Sequence, residues 1–280
     1  SEAGDDDCPP SPAPVISPGA NESSAKTQFR VYSHNVNGLR DETKLEHIPR
    51  LMKKKQLDAY LIQETHLAGD FEKFLIDDYY FIHHGPESQP ANGKKGGVAI
   101  ILSPQLHLQW KLSGKAKKIL RGGHTVGDTT RSLTISIRFE LSTAKKENRN
   151  SNRFHNLCLT TIYFPHSGYK QNEIESFNNE ISSYLANILS FRNTNHIIGA
   201  DTNSSIGTRS SISRDETMHK KADEEQEFDS IYDLIGPFGN PRISKTGQAI
   251  LNLMRDYQLR AATSFFDNNN KYNTCLAPPQ

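Results

Sequence analysis

From Phe29 onward the chain alternates between short apolar runs and polar, turn-rich breaks. The periods of those runs predict the elements. Arg30–Asn35 (RVYSHN) alternates as a strand and breaks at the turn-prone pair Asn37-Gly38. Lys44–Lys55 places Leu45, Ile48, Leu51 and Met52 on one face of a helix. Ala59–Glu64 (AYLIQE) reads as a short buried strand, and Tyr79–His83 and Gly97–Leu102 as two more. Leu133–Leu141 (LTISIRFEL) is the cleanest alternation, with Leu133, Ile135, Ile137, Phe139 and Leu141 on one face. Asn156–Phe164 is a further strand, Glu173–Leu189 a long helix, and His196–Gly199 a short strand running into Asp201. Thr246–Tyr257 reads as a helix and Ala261–Phe266 as a last strand, followed by a turn-like tail. Many strands with a few helices among them predict an α+β domain built on stacked sheets.

Two segments fall outside this pattern. Residues 1–27 are rich in Pro, Ser, Ala and Asp and bury too little to offset their ordering entropy, so a disordered lead-in or linker is expected there. Residues 208–228 are polar and charged and read as an exposed loop or insertion.

Composition narrows the partners. Lys and Arg total 33 against 32 Asp and Glu, a formal charge of +1, so any phosphate-binding surface must come from local clusters. Three cysteines match neither a zinc pattern nor a disulfide framework. No apolar run approaches the ~18–20 residues of a membrane span. The chain opens on Ser1 without a visible secretory leader, which reads as a piece of a longer nuclear or cytoplasmic protein.

Candidate chemistry collects where apolar strands end: His34-Asn35-Val36-Asn37-Gly38, Gln63-Glu64-Thr65-His66, Tyr163-Phe164-Pro165, and Ala200-Asp201-Thr202-Asn203. Each has a plain structural alternative. Asn37-Gly38 makes an ordinary turn, Glu64 an exposed strand end, Tyr163 a core ring with its hydroxyl at the surface, and Asp201 with Asn203 an Asx-turn or helix cap. Together they suit one reaction. Asn35 and Glu64 are hard oxygen ligands for Mg²⁺, which needs few protein groups. Asp201 and Asn203 can orient a water and take its proton. The Tyr163 hydroxyl can donate to a phosphate oxygen. No Ser/His/Asp set, Walker-type glycine loop or CxxC pair competes.

The ordered strings HNVNGL, LIQETHL, KKGGVAIILS, TIYFP and IIGADTN resemble the endonuclease/exonuclease/phosphatase superfamily over about residues 28–275. The resemblance is nearest to the apurinic-type endonuclease domain of LINE-like retrotransposons, on three signs: Asn37 after Asn35, the QETHL string and a tyrosine at 163. It implies a two-sheet β-sandwich flanked by helices, in four layers, with the site at one end. It implies that Asn35 and Glu64 hold Mg²⁺ (Mn²⁺ as the alternative), that Tyr163 contacts the scissile phosphate, and that Asp201 and Asn203 activate water. Asn37, His66 and His166 are expected at the substrate. His166 stands where many relatives have asparagine, and Cys275 follows Thr274 where an aromatic is usual. The superfamily ends on an Asp-His pair, but neither residue follows Thr274 before Gln280. Residues 28–280 are therefore expected to lack a last strand and to hydrolyse phosphodiesters poorly or not at all.

The expected function is Mg²⁺-dependent phosphodiester hydrolysis, as an endonuclease on DNA. The alternatives are a phosphoesterase acting on RNA or a phosphoinositide-like small molecule, and a catalytically incomplete binding domain. Lys53–Lys55, Lys94-Lys95 and Lys115–Arg121 are basic clusters that either flank a phosphate groove or are solvated surface.

Overall fold

The computed structural model describes residues 29–87, 96–121, 130–140, 154–166, 168–190, 194–211 and 234–265. Two sheets form its centre. The first has five strands in the order β1 (Val31–Asn35), β2 (Ala59–Gln63), β5 (Val98–Leu102), β4 (Tyr80–His84) and β3 (Phe71–Phe74). The second has four, in the order β6 (Lys117–Arg121), β7 (Thr130–Glu140), β8 (Phe154–Tyr163) and β9 (Thr194–Asp201). Most neighbours are antiparallel. The β1–β2 and β8–β9 pairs are parallel, with Asn35 opposite Gln63 and Tyr163 opposite Asp201.

Period-two alternation divides each buried strand between two cores. Leu61, Ile82, Ile100, Leu133, Ile135, Ile137, Leu157 and Leu159 meet between the sheets. The intervening residues Tyr60, Ile62, Phe81, Ala99 and Ile101 pack outward against Leu45, Ile48 and Met52 of helix α1 (Glu42–Lys55). On the other side, Ile162 packs with Phe177, Ile181 and Leu185 of α3 (Gln171–Leu189) and with Ile250, Leu251 and Met254 of α4 (Lys245–Asp256). Helix, sheet, sheet and helix pair make the expected α+β sandwich of four layers. A fourth helix, α2 (Pro104–Leu112), places Leu106 and Trp110 in the inter-sheet core. Among the described residues no helix is long and apolar enough to cross a membrane.

The helix ends follow their side chains. Asp41 caps α1 by accepting from the Thr43 N–H, and Ser244 caps α4 by accepting from the Gly247 N–H. One expected element is corrected. Over its described part the expected strand Ala261–Phe266 is instead a 3-10 turn, Ala262–Phe265. Its backbone bonds go to itself and to residues 234–238 instead of a sheet neighbour. Ala261 N–H donates to Leu234 O, Ser264 N–H to Ala261 O, and Phe238 N–H to Ser264 O. The expected disordered lead-in, Lys94-Lys95, most of the 208–228 loop and the tail lie outside the described residues.

Candidate active site

Parallel pairing brings the strand ends together. In a parallel pair both carboxyl ends leave the sheet on the same side. Asn35 and Glu64 therefore emerge side by side from β1 and β2, and Tyr163 and Asp201 from β8 and β9. The two pairs face each other across the sandwich. The Asn35 amide Nδ2 donates to Glu64 Oε1 at 3.0 Å and to Asp201 Oδ2 at 2.6 Å. The Asn35 Oδ1 accepts the Asn37 N–H at 3.0 Å.

A buried polar floor lies beneath this mouth. Gln63 Nε2 reaches Ser33 Oγ at 3.1 Å, Thr161 Oγ1 at 2.8 Å and the Gly199 carbonyl at 3.3 Å. Thr161 Oγ1 donates to Ile62 O at 3.0 Å. These bonds tie the two sheets together directly under the carboxylates. Gly199 is required for the approach, since a Cβ there would meet Ser33 and the Leu61 side chain within 2.8 Å.

The loops that carry the site are conformationally costly. Asn37, Glu64, His66 and Asn203 all have left-handed backbones, with φ of 48, 55, 56 and 47°. Asparagine tolerates this region, whereas Glu64 and His66 bear about 1–3 kcal/mol each. Neighbouring bonds hold them there. Gly38 N–H donates to Glu64 O at 2.7 Å, Thr65 N–H to Gly97 O at 3.0 Å and His66 N–H to Gly96 O at 3.1 Å. Underneath, the Thr65 hydroxyl meets His83 Nε2 at 2.7 Å, and His83 Nδ1 faces the Gly69 carbonyl at 2.8 Å. That carbonyl can only accept, so Nδ1 carries the proton and Nε2 accepts from Thr65. Burial lowers the His83 pKa to about 4, opposed by the Gly69 carbonyl.

The Asp201 carboxyl sits above the usual carboxylate range because it is buried and faces Glu64; the Asn203 N–H, at 3.1 Å, and the Asn35 amide pull it back. Asn203 Nδ2 is itself fixed to Phe164 O at 2.7 Å. The Tyr163 hydroxyl faces the Glu64 carboxylate and the Asn203 side chain, and burial with the Glu64 charge holds the phenol well above its ordinary pKa.

Seven of the residues singled out above take the following places. Asn35, Glu64, Asp201 and Asn203 form one bonded group, and the Tyr163 hydroxyl faces it. His66 joins it at the rim, with Nε2 3.4 Å from Glu64 Oε2. Asn37 takes part through its backbone N–H, and its side chain is exposed. The eighth, His166, is set apart: it is exposed and lies on Tyr169 at 4.7 Å between ring centroids. Of the basic clusters, Lys53 pairs with Asp77 at 2.9 Å. Lys115 and Lys117 pair with Glu72 at 3.5 and 2.8 Å, on the β3–β6 edge away from Asn35.

Arg131 is the main residue that the strand-end reading missed. It is fully buried beside Tyr163. It shares the odd-numbered, inward phase of Leu133, Ile135 and Ile137, and a charge in the apolar phase of a strand is the signal that could have found it.

The fold is a two-sheet sandwich flanked by helices, with the strand-end mouth at one end. The chain belongs to the Endonuclease/Exonuclease/phosphatase family, whose sequence profile matches residues 32–206. No curated protein matches the chain significantly in sequence. Among solved structures it is similar to a 3′ phosphatase from Neisseria bound to product DNA hairpin, at 11% identity over 68% of this chain and 63% of that one, with a TM-score of 0.41. It is similar to the human Nocturnin catalytic domain with bound sulfate anion, at 14% identity over 63% and 64% of the two chains and a TM-score of 0.39. A third is an AP endonuclease from Leishmania major, at 18% identity, 63% and 55% coverage and a TM-score of 0.40. The chain thus spans less than two thirds of each of these.

Proposed function

We propose that this domain is a Mg²⁺-dependent phosphodiesterase acting on DNA as an endonuclease, of the LINE-like apurinic type. The observation that carries the reading is the Asn35 amide held between Glu64 and Asp201. Two carboxylates converge on one point, and an N–H donor stands where positive charge is wanted. Among the described residues no three His, Cys, Asp or Glu side chains gather for a metal. A sparse oxygen set of this kind suits Mg²⁺, which keeps most of its waters. Glu64 and Asn35 would hold the ion. When bound it would neutralise charge developing on the phosphate.

The remaining roles follow from position. Asp201, bonded to Asn35 and to the Asn203 N–H, accepts the proton of the attacking water, and its raised proton affinity suits a base. Asn203, fixed to Phe164 O, keeps that carboxylate oriented. The Tyr163 hydroxyl turns from Glu64 to a phosphate oxygen. Exposed Arg40, on the connection after β1, and Lys44, in the first turn of α1, bond to His66 O and to Val36 O and Gly38 O beside the mouth, where a polyanion would pass. The DNA and LINE-like assignments rest on the QETHL string, Asn37 and Tyr163.

The test combines calorimetric Mg²⁺ titration with nicking of supercoiled plasmid. Wild type should bind Mg²⁺, and Glu64→Ala should abolish both that binding and any nicking. Equal Mg²⁺ affinity in the two removes Glu64 from the site. Duplex DNA affinity should fall steeply between about 50 and 200 mM salt through counterion release. A flat salt response favours a small phosphorylated substrate.

A further inference from the structure

We propose that Arg131 is a positioning residue for the phosphate-facing hydroxyl of Tyr163, clamping its ring and backbone from inside the fold. The inference rests on the reading of Tyr163 as that hydroxyl. Arg131 is fully buried near the start of β7, one step beyond the Ser132–Ile162 pair and so next to Tyr163 across the ladder. Its guanidinium lies over three rings, with centroids at 5.2 Å for Tyr163, 5.1 Å for Tyr169 and 5.5 Å for Phe177. Its Nη1 donates to the Tyr163 carbonyl at 3.4 Å.

Burying a guanidinium is expensive, and an apolar side chain of similar volume is often as stable or more so. A charge kept here has to be explained by what it does. Its neighbours give the answer. One flat cation touches the Tyr163 ring and also bonds the main chain that carries it. Ring and backbone are thereby fixed together, as they must be if a hydroxyl is to meet a developing charge without reorganising. Tyr169 meets His166 in a tilted ring contact at 4.7 Å, so the same cation links the Tyr163 ring to that exposed histidine. Arg131 itself is too deep to touch that substrate.

The experiment uses the full chain with Arg131→Met, Arg131→Lys and each combined with Tyr163→Phe. A fluorinated tyrosine at 163 serves as a second readout by ¹⁹F NMR. Arg131→Met should lower kcat about tenfold or more with KM nearly unchanged, and Arg131→Lys should recover part of the loss. In the Tyr163→Phe background the Met substitution should cost little further, because the two residues act as a unit. The ¹⁹F resonance should shift in Arg131→Met and return toward wild type in Arg131→Lys. A folded Arg131→Met with wild-type kcat and resonance, or losses that multiply fully in the Tyr163→Phe background, would overturn the proposal. If Arg131→Met does not fold, Arg131→Gln replaces it with the same expectations. If wild type hydrolyses nothing with Mg²⁺, the phosphodiesterase reading fails. The resonance then decides alone whether Arg131 fixes Tyr163: a shift sustains the clamp and no shift ends it.

Discussion

Each member of the mouth is held by at least one other member, so single substitutions there have separable effects. Asp201 accepts from Asn35 through Oδ2 and from the Asn203 N–H through Oδ1. Asp201→Asn keeps one acceptor and turns an N–H toward the other donor, so one of the two bonds is lost; it should still leave substrate affinity nearly intact while removing the proposed base. The expected loss is about 10²–10⁴-fold in kcat with KM changed little, measured by steady-state cleavage of a labelled duplex. A raised KM at constant kcat would assign Asp201 to binding. These residues were readable from sequence because each ends an apolar strand. The left-handed turns at Glu64 and His66 were not. They depend on Gly38, in the loop after β1, and on Gly96 and Gly97, just before β5, whose bonds to that loop come from elsewhere in the chain.

His83 gives the residue scale its pH dependence. Its pKa is lowered from 6.5 to about 4, so the folded protein resists a proton that the unfolded chain accepts. The contribution to stability is complete above about pH 6.5 and is lost as pH falls from there toward 4. The full loss amounts to about 3 kcal/mol. Urea unfolding at a series of pH values should show this slope in wild type and a flatter one in His83→Gln. Equal slopes would remove His83 as its source.

Among the elements, legibility followed burial on one clear face. β2, β5 and α3 bury continuous or properly spaced apolar residues and were read correctly in kind. Helix α2 was not read. Its Ser103 cap and Pro104 start are ordinary helix signals, but buried Leu106, His107 and Trp110 are interleaved with exposed Leu108 and Leu112. β3 (FEKF) is short and ends on exposed Phe74, so it lacks a periodic signal. Ala261–Phe266 carries strand-like residues, yet the Ser264 hydroxyl accepts the Gly236 N–H and donates to Ala261 O, which favours a turn.

The joint between the loop after β2 and the start of β5 is the most constrained of these connections. Gly97 has φ of 79°, and a Cβ there would collide with the Thr65 hydroxyl and press on His83. Gly97→Ala should destabilise the fold by about 2–4 kcal/mol, read from the urea midpoint. It should also weaken Mg²⁺ binding more than its global effect explains, because Glu64 sits on the displaced loop. A neutral result in both would mean that the joint yields without consequence.

At the scale of the whole molecule, the four layers could be anticipated, but the bonds that join the sheets could not. Gln63 stood in a recognised string without an assigned purpose; its partners Ser33, Thr161 and Gly199 are 30, 98 and 136 positions away. Arg131 was hidden for a similar reason, since its ring neighbours come from β8, α3 and the turn between them.

The Asn35–Asp201 bond joins positions 166 apart. Closing so long a loop costs chain entropy that no neighbouring contact returns during the search, and folding dominated by such contacts takes about milliseconds to seconds. The mouth should therefore be the last region to take shape. Trp110, the single tryptophan, is fully buried between the sheets and reports their packing. On dilution from urea, its emission should reach the native value before metal affinity appears, or together with it. Metal affinity that develops ahead of the tryptophan signal would mean that the site assembles locally, with the sheets closing over it afterwards.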